Sequence, residues 1–165
     1  MKLTIRETAV FGMLGGVMYA SKLVLDVLPN IHLLGMFTMA FTLVYRKKAL
    51  YPIYTYVLLL GIFNGFSFWW VPHLYVWTIL WAITLVLPQK APPLLYMIIC
   101  AVHGFLYGIM CAPAQAFFFG LDRNSTLAWI AAGIPFDLIH GVSNFFCAAL
   151  IIPVAKTITS AQRRG

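Results

Sequence analysis

Apolar residues along this chain come in long runs, broken at short intervals by proline, glycine, tryptophan or clusters of bases. The first run covers about residues 8–28 and closes at Leu28-Pro29-Asn30, where proline disfavours a helical residue before it and asparagine tolerates a turn. The second, about 31–45, stops at Arg46-Lys47-Lys48, and the third, about 49–68, at Trp69-Trp70-Val71-Pro72. The fourth, about 73–87, ends before Pro88-Gln89-Lys90, and the fifth, about 93–112, at Pro113. Residues 114–122 read as an interfacial loop, and 125–132 as a short outer helix capped by Ser125 or Thr126. Gly133 and Pro135 separate that helix from the sixth run, about 135–156; without the break, 124–158 would be too long for one ordinary span. The pattern predicts one transmembrane domain over residues 1–165, an all-α integral membrane protein built as a six-helix bundle. No period suggests an internal repeat, which argues against an inverted-repeat transporter.

Composition agrees with the bilayer as solvent. The 165 residues are 62% hydrophobic and 9% charged, with a mean hydropathy of +0.91, too few charges to cover a soluble domain. The formal charge of +7 would ordinarily raise nucleic-acid binding, but the bases sit at the ends of apolar runs, as in a membrane protein that keeps positive charge in the cytoplasm. With six spans and the N-terminus inside, Lys2, Arg6, Arg46, Lys47, Lys48, Lys90, Lys156, Arg163 and Arg164 are cytoplasmic. Lys22 and Arg123 are the exceptions among the 11 bases, while Asp26, Asp122 and Asp137 lie toward the outside and Glu7 inside. Both termini are therefore expected in the cytoplasm of a multi-pass plasma-membrane protein. Lys2 and Arg6 before an apolar run resemble a signal peptide, yet the run continues into Lys22 and Asp26 without a small-x-small cleavage site, so it reads as a retained span. Lys22 and Asp26 stand i, i+4 and can pair. Asp122 and Arg123 read as solvated loop charges. Cys100, Cys111 and Cys147 lie inside apolar runs with no paired spacing, and read as packing residues.

The candidate chemistry lies in the outer half. Asp137, His140 and Asn144 fall at i, i+3 and i+7, one face of a helix, and an acid, an imidazole and an amide on that face need partners or a ligand. At similar depth stand Asn30, His32, Asn64, His73, His103 and Tyr107, with Trp70 and Trp77 among the aromatics. Polar groups at one depth on several helices, mixed with rings, describe a pocket for a small, partly aromatic molecule. The plainer alternative is that these groups bond neighbouring helices and hold the bundle together. His140 with Asp137 is the only adjacent pair and no tight ligand spacing occurs, so no metal and no cofactor is expected. Gly12, Gly16 and Ala20 form a small-residue ladder on the first helix, and Gly104 and Gly108 another pair on the fifth; both permit close helix approach. There is no Gly-x-x-x-x-Gly-Lys-Ser/Thr loop for ATP, no Gly-x-Ser-x-Gly elbow and no His-Glu-x-x-His, so nothing points to an enzyme.

The ladder Gly12, Gly16, Ala20, the Leu28-Pro29-Asn30 entry to the second helix, the Arg46-Lys47-Lys48 loop and Pro135-Phe136-Asp137-Leu138-Ile139-His140-Gly141 together resemble the substrate-binding S components of energy-coupling factor (ECF) transporters. The resemblance covers nearly the whole chain. It implies a subunit that captures a vitamin or precursor in an outward-facing pocket and docks on a transmembrane coupling subunit carrying two ATPases. It further implies that Gly12, Gly16 and Ala20 face that partner, that the loop 29–32 is the lid, and that Asp137, His140 and Asn144 contact the substrate. Family members carry Ala-xxx-Ala where this chain has Gly12 and Gly16. Two other readings stay open: an autonomous proton-coupled carrier, and a non-transporting membrane scaffold.

Overall fold

The computed structural model describes residues 3–164; Lys2, and the side chain of Arg164, fall outside what is described. The chain is all-helical, with no strand among the described residues. Helix α1 (Ile5–Leu25) starts at a capping box, in which the Thr4 hydroxyl accepts from the Glu7 amide and the Glu7 carboxylate accepts from the Thr4 amide. Lys22 and Asp26 pair at 2.6 Å near its end. The chain then turns through Asn30, whose φ of 61° lies in the left-handed region that asparagine tolerates.

The second helix is shorter than the apolar run predicts. Helix α2 spans Leu34–Tyr45, because Ile31, His32 and Leu33 form a loop. Eight of its residues between Leu34 and Thr42 are buried, as expected of a helix that is apolar all round. It stops at Arg46, whose φ of 53° is costly for a side-chain-bearing residue. Two bonds hold that turn: the Arg46 guanidinium donates to the Leu85 carbonyl at 2.6 Å, and the Arg46 carbonyl accepts from the Trp81 indole at 3.1 Å. Arg46–Ala49 is a 3-10 turn leading straight into α3 (Leu50–Asn64). A second 3-10 turn, Phe68–Trp70, precedes α4 (His73–Val86).

The C-terminal half departs from the expected segmentation. Helix α5 (Pro93–Phe105) and α6 (Tyr107–Phe119) are separated only by Leu106, and Pro113 lies inside α6. The expected loop at 114–122 is therefore mostly helix. Helix α7 runs unbroken from Arg123 to Cys147 with Gly133 and Pro135 inside it, so the predicted outer helix 125–132 and the sixth run are one element. Its cap is Asp122, not Ser125 or Thr126: the carboxylate accepts from the Ser125 amide at 2.7 Å, and that bond holds its pKa below the ordinary value. A 3-10 turn, Ala148–Leu150, continues into α8 (Ile151–Arg164).

Among the described residues four runs are long and apolar enough to cross a membrane: Ile5–Leu25, Phe68–Val86, Pro93–Phe119 and the 41-residue Arg123–Arg163. Helices α2 and α3, of 12 and 15 residues, are shorter. The surface carries many exposed large apolar side chains, among them Met13, Val24, Phe63, Phe117, Leu138 and Phe146. A coat of that kind suits hydrocarbon and is unfavourable in water.

Helix α2 packs against α4 and α8, α1 against α3, and α5 against α7. The α5–α7 contact is closest at two glycines. A Cβ on Gly104 would come within 2.9 Å of the Gly141 backbone, and one on Gly141 within 2.2 Å of the Phe105 ring. Gly104 thus behaves as the small-residue spacing predicts.

Candidate functional site

Trp77 lies on the second turn of α4, one turn beyond His73, and is 1% exposed. The His32 ring meets it edge-on at 5.7 Å, His73 lies at 6.4 Å, His103 at 5.7 Å, Tyr107 at 6.2 Å and Tyr56 at 6.4 Å between ring centres. The His140 ring completes the group, 4.3 Å from His32 and 4.6 Å from Tyr107. All four histidines of the chain therefore converge, from the 31–33 loop, α4, α5 and α7.

Backbone carbonyls fix two of the imidazoles. Nε2 of His103 donates to the Val76 carbonyl at 3.0 Å, which leaves Nδ1 as an acceptor in the neutral ring. Nδ1 of His73 donates to the Trp69 carbonyl at 3.2 Å, leaving Nε2 to accept from the Tyr107 hydroxyl at 3.5 Å. His140 and His32 face each other through their Nε2 atoms. Four buried atoms of this region have no hydrogen-bond partner among the described residues: the Trp77 Nε1–H, Nδ1 of His32, Nδ1 of His103 and Oδ1 of Asn144. Buried polar atoms are seldom left so, because each costs on the order of 1–3 kcal/mol.

Asp137 has a different surrounding from the one its position on the face predicts. Both carboxylate oxygens accept from the Gly108 amide, at 3.0 and 3.1 Å, and the side chain is 8% exposed. Gly108 is the second residue of α6, so the carboxylate sits beside the break between α5 and α6 and satisfies a donor at a helix N-terminus. A Cβ on Gly108 would fall 2.5 Å from Asp137 Oδ2, which is why that position is glycine. Asp137→Ala should cost about 1–3 kcal/mol by orphaning the amide, and Asp137→Asn clearly less, since its amide oxygen still accepts. Chemical denaturation in detergent micelles measures both.

Asn144, 1% exposed, stands one turn inward of His140 and donates to the Cys100 carbonyl at 3.4 Å. Asn30 contributes through its backbone: its carbonyl accepts from the Ser143 hydroxyl at 3.1 Å, which ties the 30–33 loop to α7 beside the His32–His140 contact. Asn64 and Trp70 stand apart from the ring group. Asn64 is exposed and accepts from the Tyr19 hydroxyl at 3.2 Å, and the Trp70 indole donates to the Val57 carbonyl at 2.7 Å. Sequence reasoning missed Tyr56 and Ser143. Ser143, three residues after His140, shares its helical face and was visible in the spacing. Nothing along the chain singled out Tyr56 among eight tyrosines.

A cluster of neutral rings with an indole donor and imidazole and amide acceptors can stack a flat molecule and read its edge. Among the described residues no group of three or more His, Cys, Asp or Glu is placed to hold a metal ion. Fold and site together define an all-helical bundle, apolar outside and lined within by rings. Compared with protein families, with characterised proteins and with solved structures, the chain matches none.

Proposed function

We propose that this chain is the substrate-capture subunit of an ATP-driven, ECF-type micronutrient importer. On this reading it crosses the plasma membrane six times, keeps both termini in the cytoplasm, and binds a vitamin or precursor between the rings of His32, His73, Trp77, His103, Tyr107 and His140. The observation that carries the reading is the convergence of four histidines on one tryptophan with unpartnered polar atoms among them. The 29–32 loop, whose Asn30 carbonyl accepts from the Ser143 hydroxyl, supplies the lid. The chain carries no motor motif, so the energy comes from a coupling subunit with two ATPases. Gly12 and Gly16 support a docking face for that subunit: a Cβ at either meets nothing within 4 Å, and Ala20 is exposed on the same side.

Mass spectrometry of small molecules released from gently purified protein tests the reading. A stoichiometric micronutrient is the expected result. A clean blank from protein that also fails to bind any candidate vitamin would overturn it. Gly16→Leu should abolish assembly or transport while leaving ligand affinity unchanged; lost binding with assembly intact would reverse this division of roles. A second reading, a proton-coupled carrier, draws on the contact chain His32–His140–Tyr107–His73. Uptake into vesicles that hold no ATPase partner would favour it.

A further inference from the structure

A groove of about 460 Å³ lies between the end of α2 and the outer face of α8. Its polar wall is a helical stripe, Lys156, Thr159, Ser160 and Arg163, at i, i+3, i+4 and i+7 of one face. The rest of its lining is Leu43 and Val44 at the end of α2, Gln89 beyond α4, and Ile152 and Ala155 at the start of α8, apolar apart from Gln89. Among the described residues neither Lys156 nor Arg163 pairs with an acid. The chain has four acidic residues. Glu7 pairs with Lys48, Asp26 with Lys22, Asp122 caps α7 and Asp137 holds the Gly108 amide. Both cations are exposed, and the Arg46-Lys47-Lys48 turn begins one residue after Val44, beyond Tyr45 at the end of α2.

We propose that this groove binds one anionic glycerophospholipid. Its phosphodiester would lie against Lys156 and Arg163, its headgroup hydroxyls within reach of Ser160, and the upper part of an acyl chain along Leu43, Val44 and Ile152. Charge complementarity selects the anion, and the apolar wall selects a lipid over a free phosphate, which would use only half of the groove. A zwitterionic lipid brings its own ammonium group to two unpaired cations and is disfavoured. The inference rests on membrane insertion of the chain but not on substrate capture, so either can fail without the other.

The test uses the full chain in non-ionic detergent, titrated with dioleoyl-phosphatidylglycerol or dioleoyl-phosphatidylcholine and read by native mass spectrometry. One phosphatidylglycerol per chain is expected, held in preference to phosphatidylcholine. K156Q and R163Q should each weaken it about five-fold and the pair about thirty-fold, whereas K156R should bind nearly as the parent does. K47Q, which neutralises a base outside the groove, should change affinity less than two-fold. Equal binding of the two lipids would overturn the proposal. So would an equal loss in K47Q and K156Q, which is the signature of diffuse surface charge. Displacement of the lipid by millimolar inorganic phosphate would mark a free-anion site instead.

Discussion

Trp77→Ala is expected to unsettle the bundle and abolish ligand binding together. The side chain is fully buried, and truncating a buried tryptophan costs about 3–5 kcal/mol. That is a large share of the roughly 5–15 kcal/mol that keeps an ordinary domain folded. Five rings lose their common neighbour at once. Trp77→Phe separates the two roles. It keeps an aromatic face but deletes the Nε1–H, which has no protein partner. Its folding stability should therefore stay close to that of the parent, because removing an unsatisfied buried donor offsets part of the lost volume. Ligand affinity should fall about five-fold, the worth of one hydrogen bond of about 1 kcal/mol. Calorimetry on the ligand recovered from the protein, alongside denaturation curves, reads both quantities. A phenylalanine variant that binds as tightly as the parent would show that the indole N–H does not read the ligand.

Gly104→Ala is expected to be the more damaging of two alanine substitutions at the α5–α7 contact. Its Cβ would meet the backbone of Gly141 at 2.9 Å and the Asn144 amide nitrogen at 2.8 Å. Backbone cannot step aside, so the helices must part, at a cost of about 1–3 kcal/mol or more. They would also carry His103 and His140 away from each other's side of the site. Gly141→Ala brings a nominally closer contact, 2.2 Å, but against the ring of Phe105, which is half-exposed and free to swing outward. Gly141→Ala should thus be the milder change, and Phe105→Ala should rescue it while leaving Gly104→Ala unrescued. Thermal unfolding in detergent tests the order. A Gly104 variant as stable as the parent would mean that α5 and α7 can slide, and the close fit would lose its meaning.

Much of this was legible in the chain itself. The helical class, the turn at Asn30, the Lys22–Asp26 pair and the close approach at Gly104 follow from local rules that hold in any solvent. The segmentation after residue 112 does not, because along the chain Pro113 reads as a helix end and Gly133 with Pro135 as the break that opens the next helix. In an apolar setting water is not there to compensate a broken backbone, so a helix retains proline more readily than it would in solution. Gly133 and Pro135 inside α7 are the clearest case. Asp122 reads as a loop charge along the chain because its role depends on where α7 begins.

The site was legible as a depth and not as a contact map. Spacing placed His140 and Asn144 on one buried face, and the structure agrees. It could not show that His32, from a three-residue loop, would reach across to His140, nor that Asn64 would turn to Tyr19 instead of inward. Those outcomes depend on which helices are neighbours. Asp137 is the instructive residue: an acid in an apolar run calls for a partner or a ligand, and the break between α5 and α6 supplies a backbone donor. That break is itself invisible in the sequence, since Leu106 carries no mark of a helix end.

The joining of α7 to α8 through the 3-10 turn Ala148–Leu150 has a mechanical consequence. At ~1.5 Å per residue, the 25 residues of α7 extend to roughly 37 Å, somewhat more than the hydrocarbon thickness of a bilayer. An element of that length is a lever: a ~10° change of tilt moves one end by roughly 6 Å relative to the other. His140 and Asn144 ride on that lever, and its end passes directly through the turn into the helix that carries Lys156 and Arg163. An occupant at the rings and an occupant at the basic groove are then mechanically in series, and whatever factor one exerts on the other's affinity must be returned in full.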